Sequence, residues 1–306
     1  MKPSDHRIDG RDWGLLGILS VLWGGSFYFA KIAVLEIPPL TLALGRVAIA
    51  AAALAIFARA IGEPFPRHTA AWWQLTVMAV FNNVLPFTLL FWGQIHISIG
   101  LASILNATSP LFGVLVAHVM TQDDKLSMGR IVGLIAGFAG VVVLLGPDML
   151  NELGTNVLAE LACLTAAAFY AFGAVFSRRV RGVPPVMMAT GQLTMSTVLL
   201  LPVVLLFDRP GAFLTASRTA IWAMVSLALL SSALAYLIYF RLIARAGATN
   251  ALIVTFLLPV SAILLGIVLL NETVDARQLS VMAAIFIGVA AIDGQAARFT
   301  VRMLHR

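Results

Sequence analysis

The chain of 306 residues has a single cysteine, and only 11% of its residues are charged. One cysteine cannot close an intrachain disulfide, and Cys163 sits inside an apolar run, so packing is its expected role. Soluble domains carry about a quarter of their residues as charges, and a chain this poor in charge has no means of covering a water-facing surface. None of the 14 acidic residues falls at the centre of a long apolar run; Glu160 and Asp293 lie near run ends, and His96 and His118 are not central either. A membrane-embedded carboxylate of the kind that couples pumps to protons is therefore missing. There is no P-loop, no metal-ligand spacing and no Ser/His/Asp arrangement. These absences argue against an ATP-driven pump, a metal or cofactor site, catalytic residues and an enzyme.

What is present is apolar: 60% of the residues are hydrophobic. A membrane-spanning helix needs about 20 mostly apolar residues, and ten such runs can be placed, at 13–32, 40–60, 72–93, 98–120, 127–146, 157–177, 185–206, 219–240, 249–270 and 278–296. They are too long, and alternate too little, to be barrel strands. An all-α polytopic membrane protein with ten transmembrane helices is the expected fold class. We number helices one to ten after these runs. Lys2, Arg7 and Arg11 precede the first run, but it is long and lacks a clear cleavage site, so it reads as a retained helix and not a signal peptide.

The net charge of +6 is spread singly or in short clusters between apolar runs. That is how membrane loops are charged, and nucleic acid is not an expected partner. On the side of the N-terminus stand 15 Lys and Arg: Lys2, Arg7, Arg11, Arg59, Arg67, Lys125, Arg130, Arg178, Arg179, Arg181, Arg241, Arg245, Arg298, Arg302 and Arg306. The other side has four, Lys31, Arg209, Arg218 and Arg277. The positive-inside rule then puts both termini in the cytoplasm. The twentieth basic residue, Arg46, belongs to neither side.

The sequence repeats itself. Helix two begins PPLTLALGR (Pro38 to Arg46) and helix seven PPVMMATGQ (Pro184 to Gln192), an offset of 184 − 38 = 146 that aligns Gly45 with Gly191 and Arg46 with Gln192. At an offset of 149, Asn82 and Asn83 pair with Ser231 and Ser232, Asn106 with Thr255, Pro110 with Pro259 and Asp123 with Glu272. Phe27 and Tyr28 resemble Phe169 and Tyr170 at an offset of 142. Each repeat holds five helices, an odd number, so the second enters the membrane with opposite polarity. The expected organisation is a cytoplasmic N-terminal segment (1–12), a first five-helix repeat (13–146), an inverted second repeat (157–296) and a basic cytoplasmic tail (297–306). Inverted repeats place a shared site at their interface near the bilayer midplane and let two halves rock around it, which is the logic of a transporter.

WGGSFYFAK (Trp23 to Lys31), the Gly45–Arg46 pair, SPLFG (Ser109 to Gly113) and LPVSAILLGIVLLNE (Leu258 to Glu272) resemble the drug/metabolite transporter superfamily, in particular its ten-helix EamA type. Within it the chain is similar to YddG-like amino-acid exporters of bacterial inner membranes. The resemblance implies a multi-pass inner-membrane transporter that exports small amphiphilic metabolites, amino acids including aromatic ones. One departure is Gln122–Asp123 where the family's usual pattern has Gly-Glu.

Polar groups inside lipid tend to face a bundle interior or a water-filled cavity. On that ground Asn82 and Asn83 of helix three, Ser103 and Asn106 of helix four, Ser231, Ser232 and Tyr236 of helix eight, and Thr255 of helix nine are candidate substrate-binding residues. Ser103, Asn106 and Pro110 share one helix face. Trp23, Tyr28 and Tyr170 are deep enough to join an aromatic lining. For single Ser or Thr residues the competing reading is a bond back to their own helix. Pro110 and Pro259 each remove a mid-helix hydrogen bond, marking a kink, a hinge or a substrate-facing break. Gly133, Gly137 and Gly140 on helix five read as a close-packing stripe. Arg46 either snorkels to the interface or, with Gln192, marks a polar position turned toward protein in both repeats.

The function expected is export by alternating access without proton coupling, with a small-molecule substrate, the lipid bilayer as surroundings and a monomeric unit. The alternatives are a multidrug or other metabolite carrier of the same superfamily and, from a different class, a channel or membrane receptor.

Overall fold

The structure is a computed structural model that describes residues 10–66, 68–121, 131–135, 138–139, 155–180, 182–208, 211, 215–246, 254–276, 279–280 and 282–284. Most of the expected helices five and ten lies outside these residues, as do Gly137, Gly140, Gln122, Asp123 and the basic tail. Among the described residues all regular structure is helical, and seven helices are long and apolar enough to cross a membrane. They are helix one (Gly10–Val34), two (Pro39–Ala60), three (Thr69–His96), four (Ile99–Met120), six (Asn156–Ser177), seven (Pro185–Phe207) and eight (Arg218–Tyr239). Helix nine (Val254–Leu270) is a shorter apolar helix. Proline sits in the first turn of helices two and seven, where its missing N–H costs nothing and its fixed φ suits the helix.

Helices two and seven pack along each other at the centre. Helix one lies against helices eight and nine, and helix six against helices three and four. Exchanging each helix for its repeat mate turns one of these sets of contacts into the other. Helices one and six are thus each packed against the opposite repeat, so the packed bodies differ from the sequence repeats. One body is helices three, four and six; the other is helices one, eight and nine.

The central helices approach closely because glycine lets them. A Cβ on Gly45 would collide with Sδ of Met224 on helix eight, and one on Gly191 would come within 2.6 Å of Leu75 Cδ1 on helix three. Met224 and Leu75 are themselves 149 residues apart, so both glycines serve one contact seen twice. Small residues at such crossings are the usual means of close helix packing in lipid, where no hydrophobic drive joins helices.

Helices one and nine touch the other body along Leu85–His96 and Ile99–Asn106. Those segments lie toward the bundle face opposite the N-terminus. Among the described residues the main contacts of Thr69–Ala79 and Ser109–Met120 are instead with helices six and seven, with the neighbouring turn of helix three and, through Phe112, with Phe138 of helix five. Among the described residues the two bodies meet mainly at the opposite face, and these contacts do not continue toward the N-terminal face.

Gly45→Val and Gly191→Val should each lower the thermal unfolding midpoint in detergent by several degrees, as overpacking by about 1–3 kcal/mol does. Gly17→Val, at a site with nothing within 4 Å of the added Cβ, should leave the midpoint nearly unchanged, a contrast read directly from melting curves.

Candidate functional site

Near mid-length, helices three and eight each widen into a π-helical turn, Val80–Val84 and Leu229–Leu234. They begin 229 − 80 = 149 residues apart, the offset that pairs Asn82 and Asn83 with Ser231 and Ser232. A π turn inserts a residue into the helical ladder and is frequent at functional sites. In helix three Pro86 gives a local cause, because it has no N–H to donate to the Asn82 carbonyl four residues earlier. In helix eight the Ser232 hydroxyl donates instead to the Leu227 carbonyl, at 3.4 Å.

Each π turn is held by a polar side chain from the central helix of the other repeat. Arg46 Nε on helix two donates to Ser232 Oγ at 2.9 Å. Asn82 Nδ2 on helix three donates to Gln192 Oε1 on helix seven at 3.2 Å. Arg46 is 7% exposed and Gln192 3%, so the structure turns Arg46 into the bundle. Its guanidinium carbon lies 3.8 Å above the centre of the Phe87 ring and 5.9 Å from that of Phe91, a cation–π stack with desolvated geometry. Tyr170, edge-on to Phe87 at 6.4 Å between ring centres, and Tyr236 are both close enough to interact with its charge.

Several polar atoms here are buried and have no hydrogen-bond partner among the described residues: both side-chain atoms of Asn83, Oδ1 of Asn106 and Oγ of Ser231. Such atoms are few in native interiors and call for a water, ion or ligand. Ser103 behaves differently, donating to its own helix at the Gly100 carbonyl, 2.7 Å away. Thr255 is half-buried at the start of helix nine. Helix six comes close enough at Gly173 that a Cβ there would strike Asn82 Oδ1.

Helix four is broken into Ile99–Asn106 and Ser109–Met120. Pro110 stands in the first turn of the second piece, so it opens a helix and does not kink one. The Asn106 carbonyl, which an N–H at position 110 would have met, accepts the Ser109 hydroxyl at 2.7 Å, and the Leu105 carbonyl accepts that of Thr108 at 2.6 Å. Pro259 lies inside an unbroken helix nine.

The candidate aromatic residues fall into three packed clusters. Tyr28 belongs to the cluster between helices one, three, four, six and nine; Tyr236 packs with the central helices, and Tyr170 borders both. Trp23 packs against Tyr239 with the rings tilted by 48° and their centres 5.3 Å apart, in a third cluster. The structure therefore brings Arg46, Gln192, Asn82, Ser232, Tyr170 and Tyr236 together around helices two and seven, and sets Trp23 apart.

The opposite face carries polar ties that the sequence reading did not single out. Lys31 Nζ donates to the Gln94 and Ile97 carbonyls at the end of helix three, at 2.6 and 3.0 Å. The buried Gln94 amide returns a bond to the Phe27 carbonyl at 2.8 Å. Glu272 caps helix four, accepting from the Ile99 and Gly100 N–H groups at 2.9 and 3.3 Å. Asp208 accepts from Thr41 N–H at 2.8 Å in the first turn of helix two, and Glu36 from Ser217 N–H at 2.6 Å at the start of helix eight. Three carboxylates thus sit on three helix N-termini, where unpaired N–H groups and the helix dipole favour them. Glu272, with Ser98 as its neighbouring N-cap, was legible only as the mate of Asp123; the rest needed the fold.

Among the described residues no group of three or more His, Cys, Asp or Glu is placed to hold a metal.

The family model for the EamA-like transporter family matches residues 12–146 and 157–292. The uncharacterized transporter YoaV of Bacillus subtilis is 25% identical over 264 residues, covering 85% of this chain and 89% of that protein. The uncharacterized inner membrane transporter YedA of Escherichia coli K12 is 28% identical, covering 92% and 90%. A protein of Streptantibioticus cattleyicolor described as "Probable terminal-alkyne amino-acid exporter" is 28% identical, covering 85% of each chain. One crystal structure superposes with a TM-score of 0.65 at 20% identity, over 93% of this chain and 98% of that one, a likeness of fold.

Glu36 lies outside the spans, between helices one and two, and its pKa is lowered from the ordinary 4.5, first by the Ser217 N–H and then by the Ser217 hydroxyl. A depressed carboxylate stabilises above its ordinary pKa and stops doing so as pH falls through its folded value. The melting difference between wild type and Glu36→Gln should thus be full at pH 7 and shrink at pH below about 4.5; a difference constant down to pH 3 would rule the bond out as its source.

Proposed function

Because the chain belongs to the EamA-like transporter family, we propose that it is a bacterial inner-membrane exporter of small amphiphilic metabolites, amino acids including aromatic ones, working by alternating access without proton coupling. The observation that carries this reading is Asn83: a fully buried amide in a π turn at mid-bundle, with both side-chain atoms unpartnered among the described residues. A group that costs this much to bury is retained where it does something besides packing. Asn106 Oδ1 and Ser231 Oγ add two more such atoms, and the surrounding clusters are aromatic and aliphatic. Polar groups set in an apolar lining suit a ligand with both characters.

With the basic side of the chain in the cytoplasm, the face to which the contacts between the two bodies do not continue among the described residues is cytoplasmic, and the face tied by Lys31, Gln94 and Glu272 is periplasmic. A site reachable from one side and closed on the other is what a carrier needs and a channel lacks. Proton independence is supported by acid placement: among the described residues the buried acidic ones, Asp12 and Glu160, are the third and sixth residues of their helices, Gly10–Val34 and Thr155–Ser177. The amino-acid reading draws on the Streptantibioticus cattleyicolor relative's name. Two fused inverted repeats complete the site within one chain, so the working unit is a monomer in the bilayer, and the two EamA-like repeats span 13–146 and 157–296.

Counterflow of an amino-acid panel in proteoliposomes tests the reading. Asn83→Ala and Asn106→Ala should cut flux about tenfold or more while the melting point holds or rises, since each removes an unsatisfied buried group. Unchanged flux in both would place substrate elsewhere. At a fixed substrate gradient, an imposed pH gradient should leave wild-type flux unaltered and Glu160→Gln should retain it; a pH-driven flux would show coupling.

A further inference from the structure

Arg46 is the one basic residue that the loops do not account for, and its surroundings are unusual for a buried cation. It is 7% exposed, and its hydrogen bond is to a neutral hydroxyl, through Nε to Ser232. Phe87 lies flat beneath the guanidinium, Phe91 lies farther along the same helix, and Tyr170 and Tyr236 stand around it. Among the described residues no carboxylate touches it and neither Nη atom is hydrogen-bonded. A desolvated charge with only aromatic and hydroxyl neighbours lacks the counter-charge that normally offsets its burial. The free edge of the fork presents two parallel N–H groups, the geometry that a carboxylate accepts bidentately.

Resting on the transport reading above, we propose that the Nη edge of Arg46 is the anchor for the carboxylate of the transported substrate, and that the protein selects monocarboxylates over amines. Phe87 fixes the plane of the fork from below and Ser232 fixes its rotation through Nε, leaving the far edge as the open one. A single positive charge in an aromatic surround matches a single negative charge. A phosphate would bring more charge than this site offsets, which is why a carboxylate is chosen. The repeat mate Gln192 occupies the same position opposite and is already spent on Asn82, so the anchor exists on one side of the pseudo-symmetric site only. The buried and unpartnered Asn83 lies one turn before Phe87 on helix three, placing a neutral acceptor and donor near the anchor for the rest of a polar headgroup.

The test is counterflow and competition in proteoliposomes with a matched set of one side chain: phenylalanine, phenylpropionate, which keeps the carboxylate and loses the amine, and phenethylamine, which does the reverse. In the wild type phenylpropionate should compete for phenylalanine flux about 10- to 100-fold better than phenethylamine, the worth of a charged hydrogen-bonded contact. Arg46→Gln, a residue the mirrored position already accommodates, should abolish that preference, and Arg46→Lys should keep part of it by retaining charge without the fork. The wild-type comparison needs no variant, so a misfolded substitution cannot hide the answer. Equal competition by acid and amine in the wild type, or a preference kept by Arg46→Gln, overturns the anchor while leaving transport standing. Absence of flux for all three compounds overturns the aromatic amino-acid reading and the anchor with it.

Discussion

The bundle is organised around two hydrogen bonds at mirrored crossings, Arg46 to Ser232 and Asn82 to Gln192, the second made by the neighbour of Asn83, which is the repeat mate of Ser232. Each joins a central helix of one repeat to the π turn of a helix in the other. Polar contacts between helices in lipid are worth about 0.6 kcal/mol on average, so their importance is geometric more than energetic. They fix where helices two and seven sit against the widened turns, and Gly45 and Gly191 let the backbones come near enough for the bonds to form. Once those two crossings are set, helix three must present Asn83 and Phe87 inward, and helix eight Ser231 and Tyr236. The polar centre of the molecule follows from that constraint.

Symmetry at the centre contrasts with asymmetry at the two ends. On the face away from the N-terminus, the carboxylates Glu36, Asp208 and Glu272 cap helix N-termini and Lys31 caps the end of helix three. Position 62, the mirror of Asp208 at an offset of 146, is a glycine that turns the chain at φ 76° after helix two and has no side chain to offer as a cap. Of these ties, Lys31, Gln94 and Glu272 cross between the body of helices three, four and six and that of helices one, eight and nine. Opening that face means breaking charge-assisted bonds at helix ends, and closing the other cannot reuse the Asp208 cap. Packed interfaces of this kind switch between discrete arrangements more readily than they deform.

Seven of the ten expected spans stand as membrane-length helices among the described residues, and they were legible because about 20 apolar residues have few other uses; the repeat was legible because Gly45 and Gly191, and Asn82 and Ser231, keep their spacing. Several helix ends fall where expected, as at Ala60 and Met120, and others differ by a few residues, as with helix one, which runs Gly10–Val34 against an expected 13–32. Two features could not be read. The π turns depend on a single missing N–H at Pro86 and on Ser232 bonding backward, and hydrophobic periodicity does not register one inserted residue. The exchange of helices one and six between bodies is a matter of tertiary packing, and in all-apolar helices no stripe of polar residues shows which neighbour each face will meet. At Pro110 the sequence left a kink, a hinge and a break open alike, because a break of only two residues leaves no mark in an apolar run. Phe87 gave no signal at all until Arg46 was seen lying on it.

The most direct test of the central claim, that two bodies move about a fixed polar centre, is a pair of distances measured by spin labels at lipid-facing positions. Trp13 and Val119, 52% and 81% exposed, report the N-terminal face of the two bodies. Ile95 and Val268, 37% and 71% exposed, report the opposite face. Alternating access predicts that saturating substrate populates a state in which the first distance shortens as the second lengthens. Two distances that lengthen together, or that both stay fixed while substrate is being carried, would contradict it.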